Sequence, residues 1–409
     1  MELLEVRCSA VEGDPSQTRL TAVILFADQS KFELWAEMPS VYADDAQKSG
    51  NAWLIAMLPM AVARGEDIKM ELPVDALLLE NLKGVIEVWI SWFRKLANIN
   101  IHAPPAPFQE QPKERIAAFY SGGIDSYFTV ARRLASQEAS FPLIGRLDTL
   151  ISVWGFDVKC DDVAQFAPLA EMLTRGARQL NLDHVVIRTN LRVIEPTLPF
   201  KDIWRKLSHG AGLSFVAHLL RSEHREVVIG SSHTYGHLFP WGSDPMLDPL
   251  YSSSNLSISH DGAMYSRTSK TDIVGRFPPA AAALHVCLAQ GVSNCSHCEK
   301  CYRTMMTLDI FGHRERMANA FAWDRYDVRN IRRFIVRTNA DRLFRNEILD
   351  AATAHQRQDI VQAFRYATYR SRVIGPILEG AEWLMRWPGI WRLGVRLRKL
   401  VLRGPIRKI

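Results

Sequence analysis

Ser121-Gly122-Gly123-Ile124-Asp125-Ser126 constrains this chain more than any other stretch, because it stands between an apolar run and the start of a helical pattern. Ile116 to Tyr120 read as a short buried strand, and Tyr127, Phe128, Val130 and Leu134 then recur at helical spacing. Paired glycines let the backbone approach a ligand at dihedrals that other residues avoid. A turn of this kind aims unpaired N–H groups at an anion, with the positive end of a helix dipole behind them. Ser121 and Ser126 can donate to phosphate oxygens, and Asp125 can bind Mg²⁺ or hold the turn closed. The chemistry that follows is a pyrophosphate cradle. Neither GxxxxGK[S/T] nor GxGxxG occurs, which weighs against Walker-type and dinucleotide folds.

The chain has 409 residues, 47% apolar and 23% charged, enough for two or three globular domains. Its formal charge of +6 is unevenly placed: Arg386, Arg392, Arg396, Arg398, Lys399, Arg403, Arg407 and Lys408 crowd the last stretch, with no acid after Glu382. No secretory signal is evident in Met1 to Val6, and the longest apolar run, Ala52 to Ala63, contains Pro59 and is too short to span a bilayer. A cytoplasmic enzyme is the expectation.

Four of the six cysteines, Cys287, Cys295, Cys298 and Cys301, are clustered. In a cytosolic chain the pattern argues for metal over disulfides, and four thiolates would close a tetrahedral, structural zinc site. An iron–sulfur cluster and a sulfur-carrying nucleophile are the rival uses of the same cysteines; His297 lies in the same loop. Cys8 and Cys160 read as isolated buried thiols.

Ala103-Pro104-Pro105-Ala106-Pro107 reads as a linker, dividing the chain into residues 1–105, 113–309 and 310–409. The first part carries alternating apolar runs and a helix over Val74 to Leu96, as a small accessory α/β domain. In the second, strands at Ile116–Tyr120, Thr149–Val153, His184–Arg188 and Glu226–Ile229 alternate with helices at Ser126–Ser136, Val163–Leu180 and Leu213–His224. That alternation implies a parallel sheet covered on both faces, with ligands beyond the strands' carboxyl ends. Trp154, Gly155, Phe156 and Asp157 fall there, where an aromatic face can stack on a purine and a carboxylate can read a ring N–H. Ser231, Ser232 and His233 end the next strand. His237 to Lys270 reads as a long functional loop, with Arg267 and Lys270 close to its end on one helical face, suited to ATP phosphates in the α-phosphate transition state. The third part is helical, basic and aromatic, from Arg314 to Arg342. Beyond Pro388, Arg392, Arg396, Lys399 and Arg403 form a basic stripe opposite Ile390, Leu393, Leu397 and Leu400. That pattern suits nucleic acid, an anionic membrane surface or an acidic protein, or a helix docked on the enzyme itself.

The six-residue turn resembles the SGGxDS motif of the N-type ATP pyrophosphatases, the PP-loop superfamily, which cleave ATP between its α and β phosphates. Taken with the cysteine spacing near the end of the same domain, the region from Arg115 to Leu308 is similar to the 7-cyano-7-deazaguanine synthases, the QueC family. The resemblance implies a parallel-sheet, adenine nucleotide α-hydrolase-like catalytic domain. ATP and Mg²⁺ would be held by Ser121, Gly122, Gly123, Asp125 and Ser126; Ser121 and Asp125 would then share the catalytic set with Arg267 and Lys270, which are read from their charge and spacing and not from the resemblance. Zinc would be held by Cys287, Cys295, Cys298 and Cys301. It implies a ligase that adenylates 7-carboxy-7-deazaguanine or a similar acid and passes it to ammonia or an amine. No glutaminase region is apparent. Extended relatives with flanking regions resemble proteins of anti-phage operons, which implies a protein partner from the same operon. A tRNA-thiolating enzyme and a catalytically inactive nucleotide- or nucleic-acid-binding protein are the other readings. Oligomeric state is not legible.

Overall fold

The computed structural model describes residues 1–106, 114–135, 146–287, 293–335, 339–385, 387 and 389–401. The chain forms two compact units, Met1–Met264 and Tyr265–Ile409.

The first unit is mixed α/β. It holds strands β1 (Glu2–Val11), β2 (Asp14–Leu25), β3 (Lys31–Pro39), β4 (Ile68–Met70), β5 (Val74–Asp75), β6 (Ile101–His102), β7 (Pro105–Ala106), β8 (Arg115–Phe119), β9 (Thr149–Trp154), β10 (Asp183–Thr189), β11 (His224–Gly230) and β12 (Ser257–Asp261). Its helices are α1 (Ala43–Lys48), α2 (Asn51–Arg64), α3 (Ala76–Trp92), α4 (Ile124–Ala135), α5 (Val163–Gln179) and α6 (His209–Leu219). Ten strands make one mostly parallel sheet in the order β12-β11-β8-β9-β10-β3-β2-β1-β4-β6, and β5 pairs with β7 apart from it. From β12 to β10 every pairing is parallel, and from β10 to β1 every pairing is antiparallel.

The two parts of the sheet read differently in sequence for a physical reason. Strands covered on both faces are apolar throughout: Ile116 to Phe119 in β8 and Val227 to Ile229 in β11 are all buried. In β2 only alternate residues, Leu20, Ala22 and Ile24, are fully enclosed, although Val23 is also largely covered. The join between β3 and β10 has just two backbone pairs, Arg188 with Glu37 and Thr189 with Ala36. Asn190 extends it, its side-chain oxygen accepting from the Trp35 N–H at 2.8 Å while its amide donates to the Glu33 carbonyl at 2.8 Å.

Helix α2 is buried on every face from Asn51 to Val62, which explains the apolar run around Pro59: it is a core helix, packed through Trp53 on Phe215 of α6 at 5.6 Å between ring centres. Helix α3 is one-sided, burying Leu78, Leu82, Val85, Ile86 and Trp89, and is capped by Asp75, whose carboxylate accepts from the Leu78 N–H.

Among the parallel strands, the observed spans β8 to β11 lie within a few residues of those expected from sequence. Helix α6 does not: it ends at Leu219, and His224 opens β11 where helix was expected. Strand β12 falls inside the segment read as a loop. Ser136, the expected end of α4, and Pro107, the end of the proline cluster, lie outside the described residues.

Two histidines, His184 partly buried and His218 buried, should make this unit acid-sensitive. His184 sits between the Ser152 and Thr174 hydroxyls, 2.8 Å from each, and burial lowers its pKa to about 4. His218 meets the Tyr251 carbonyl at 2.7 Å, and burial lowers its pKa to about 4 as well. Both stay neutral in the fold but would protonate near 6.5 in the unfolded chain. Their stability contribution is therefore intact above that value and is lost as pH falls from about 6.5 toward 4. By about pH 5 each removes on the order of 2 kcal/mol. Urea unfolding compared at about pH 7 and about pH 5 is expected to show this loss, and His184→Asn to reduce it. An unchanged pH difference in His184→Asn contradicts the assignment.

The second unit is helical among its described residues: α7 (Arg267–Arg276), α8 (Ala280–Ala283), α9 (Glu299–Ile310), α10 (Asn339–Ala354), α11 (Gln358–Leu384) and α12 (Trp391–Val401). Tyr302, Met306 and Ile310 of α9 pack with Ile331, Phe334, Ile348, Ile360 and Phe364 in its core.

Candidate functional site

Numbered within the five parallel strands alone, the sheet order is 3-2-1-4-5, reversing between β8 and β11. In open sheets of this kind the crevice outside the carboxyl ends, at the reversal, is where ligands bind. Ser121–Ser126 leaves the carboxyl end of β8 at that point. Gly122 takes φ +75°, a left-handed conformation that a side chain resists. Ser121 is exposed, and its hydroxyl accepts from the Gly123 N–H at 3.4 Å. Helix α4 begins at Ile124, so its first turn offers N–H groups with no acceptor inside the helix.

Ser126 departs from its expected role. It is buried, and its hydroxyl donates to the Gly123 carbonyl at 3.0 Å, bracing the turn from within. The rest of α4 is tied to its neighbours in the sheet: Thr129 donates to Asp261 at 3.0 Å, Arg132 meets the same carboxylate at 2.5 Å and Arg133 meets Glu226 at 2.8 Å. Gly230 lies so close to the first turn that a Cβ there would stand 3.0 Å from the Asp125 carbonyl. Beneath the turn, Tyr120 and Tyr127 share a buried 2.6 Å hydrogen bond between hydroxyls. Burial raises both pKa values, Tyr127 to about 12, so both remain neutral.

The neighbouring Trp154–Asp157 loop is arranged for packing. One face of Trp154 is stacked on Phe166 at 4.7 Å and 6°, and the Arg188 guanidinium lies over the ring at 4.2 Å. Neither face is open to a purine in this arrangement. Phe156 is buried against Trp204 at 4.7 Å, and its carbonyl accepts from Arg192 at 2.5 Å. Asp157 is exposed and close enough to His209 to oppose the fall in that histidine's pKa, which burial drives. The sequence showed no sign of Phe166, Arg188 or Arg192 as partners, because each comes from a different element. Ser231 is fully buried, its N–H donating to the Asp261 carbonyl at 2.8 Å and its hydroxyl to the His233 carbonyl, so it pins the loop.

Arg267 and Lys270 belong to the second unit, on α7. Lys270 is only 1% exposed, far from the solvated surface pair that charge alone suggests. The Arg267 backbone N–H donates to Glu347 at 3.0 Å.

In the same unit the four cysteine sulfurs lie within 4.8 Å of one another. Cys287 and Cys298 are 3.8 Å apart, and Cys295 and Cys301 are 3.9 Å apart. A tetrahedral ion with bonds of 2.3 Å to sulfur sets its ligands about 3.8 Å apart, so the cluster could hold a metal such as zinc. Two backbone N–H groups point at sulfur: Cys298 N to Cys295 Sγ at 3.3 Å, and Cys301 N to Cys298 Sγ at 3.5 Å. Ser296, between Cys295 and Cys298, adopts φ +59°. The hydrogen bond with the Cys301 thiol, followed by that backbone N–H, lowers the Cys298 pKa to about 5, while Cys301 is raised by the same contact. The Cys298 thiolate is thus favoured while Cys301 keeps its proton, and thiolate is the form that binds metal. His297 is turned away, its Nδ1 against the Cys295 carbonyl at 2.8 Å.

Among the described residues no helix is long and apolar enough to cross a membrane. No protein-family model matches the chain, and no match was found among curated proteins or solved structures.

Proposed function

We propose that the chain is an ATP-dependent ligase of the PP-loop type, related to the QueC family, with a structural zinc ion on Cys287, Cys295, Cys298 and Cys301. The observation that carries the reading is the placement of Ser121–Ser126 at the point where the parallel strand order reverses, ahead of a helix N-terminus. In this reading the N–H groups of the turn and the Ser121 hydroxyl hold the triphosphate of ATP. Asp125 would hold Mg²⁺, which would supply positive charge to the phosphates. A carboxylate oxygen of the acid attacks the α-phosphorus and pyrophosphate leaves. An amine then attacks the acyl carbon, AMP leaves, and the amine loses a proton. The carboxylate becomes an amide at the cost of one phosphoanhydride bond.

Positioning and fixed dipoles supply most of the catalysis in such a displacement, so a covalent enzyme intermediate is not needed. The acid is 7-carboxy-7-deazaguanine or a close analogue, and the acceptor is ammonia or an amine of a partner macromolecule, in the setting of anti-phage defence. Trp154 drops out of the proposed purine contacts, since both its faces are covered, and Asp157 stays. The gathering of all four sulfurs within 4.8 Å supports a metal over the sulfur-carrying cysteine that a thiolating enzyme would need.

Incubation with labelled ATP and candidate deazaguanine acids is expected to yield AMP and pyrophosphate. Asp125→Asn should slow it about a hundred-fold, or about 2.7 kcal/mol in the barrier. Production of ADP, or an Asp125→Asn variant as fast as the parent, would sink the reading.

A further inference from the structure

Helix α11 carries two apolar faces, and among the described residues only one is covered. Phe364 and Ala367 face the core of the second unit, and Leu378 and Ala381 are also buried. On the other side Tyr366, Tyr369, Val373 and Ile377 recur at intervals of three and four residues, which places them in one row. They are 53%, 68%, 55% and 46% exposed. Gly380 continues the row with open space beside it, and Trp383 and Trp387, 55% and 54% exposed with rings 5.9 Å apart, close it. From Tyr366 to Trp383 the row runs about 26 Å along the helix. Scattered exposed apolar residues are ordinary, but a contiguous aromatic and aliphatic row marks a contact surface.

The charges around the row are mainly basic. Arg365 and Arg372 are exposed beside it, Arg370 is half-buried with a guanidinium hydrogen bond to the Arg333 carbonyl, and Arg332 lies 5.7 Å over the Tyr366 ring. Glu379 and Glu382 are the acids near its far end. Beyond Glu382 the sequence holds eight Arg and Lys residues and no acid. Two of these, Arg392 and Arg396, are exposed on α12, with Ile390, Trp391 and Leu393 also exposed nearby. Helix α12 meets α11 so closely at Gly394 that a Cβ there would stand 2.5 Å from the Ala381 carbonyl.

We propose that the exposed row of α11, with the arginines beside it, is a docking surface for an anionic lipid membrane. Tyrosine and tryptophan are the residues that favour the level of the lipid headgroups, with the ring in the acyl boundary and the polar atom in water. Val373 and Ile377 in the middle of the row gain from an apolar medium, whereas bases and phosphates offer β-branched side chains little. An isologous contact with a second copy would set Arg365 and Arg372 against like charges. A convex helical ridge needs a soft surface rather than a groove, and each arginine near anionic lipid strengthens attachment about five-fold, from about 1 kcal/mol. No described helix can cross the bilayer, so the contact lies in the plane of the interface.

The test is co-sedimentation of the full chain with phosphatidylcholine vesicles, with and without roughly a third phosphatidylglycerol. Binding to the anionic vesicles, at least about ten-fold above neutral ones and with a blue shift of tryptophan emission, is the expected result. The double variant Tyr369→Glu/Ile377→Glu should lose at least about ten-fold of it with an unchanged melting temperature, because both side chains are exposed. Arg372→Gln should lose about five-fold. The proposal is overturned if the parent ignores anionic vesicles or the double variant binds them as well as the parent. It also fails if that variant instead dissolves a dimer seen by light scattering, or abolishes binding of a single-stranded oligonucleotide.

Discussion

Cys298→Ser is expected to abolish zinc binding by the cysteine cluster and to lower the unfolding temperature of the second unit by about 10 °C or more. A structural zinc ion contributes on the order of 10 kcal/mol to the fold that presents its ligands, and much of that depends on the fourth thiolate. Cys298 is the strategic member of the cluster. Its sulfur is 3.8 Å from Cys287 Sγ, receives the Cys301 N–H, and caps the first turn of α9. Serine keeps the cap but is a poor metal ligand, which separates loss of the ion from loss of the cap. Helix α9 supplies Tyr302, Met306 and Ile310 to the unit's core, so the damage should spread beyond the cysteine loop. Elemental analysis of the purified protein and variant, with a thermal melt in the presence of a chelator, checks this. About one zinc per chain in the parent and much less in the variant is the expected outcome; a variant that keeps the metal and the melting temperature removes the site from the fold's supports.

Gly155→Ala should destabilise the first unit by at least about 3 kcal/mol, about 10 °C in melting temperature. Gly155 takes φ +119°, and a Cβ added there would stand 1.9 Å from the Thr189 carbonyl oxygen, a backbone atom that cannot move aside alone. Thr189 is where β10 joins β3, with its hydroxyl on the Trp35 carbonyl at 2.6 Å, so a shift there disturbs both parts of the sheet. Gly236, with nothing within 4 Å of its ideal Cβ and an ordinary φ, is the matched control. Gly155→Ala and Gly236→Ala melting within about two degrees of each other would contradict the packing account.

Much of the sheet was legible because its strands are enclosed on both sides. Ile116 to Phe119, Leu150 to Ile151 and Val227 to Ile229 have no polar face to show. Strand β12 escaped notice for the opposite reason. It pairs only with β11, and its polar residues are occupied by partners far away in sequence, His260 by Asp248 at 2.7 Å and Asp261 by Thr129 and Arg132. Helix α6 was displaced because it is buried all round and has no amphipathic period to fix its ends. At the candidate sites, local chemistry could be read: the glycine turn and the cysteine spacing each lie within a few residues. What could not be read is competition for the same surface. Trp154 looks like a stacking platform until Phe166 and Arg188, from α5 and β10, are found on its two faces.

The join between β3 and β10 has a further consequence for any shortened form of the chain. A fragment starting at the proline cluster would keep the parallel strands but unpair Arg188 and Thr189 of β10 from β3, lengthening an open strand edge that another molecule could pair with. Such a fragment is expected to self-associate more readily than the full chain.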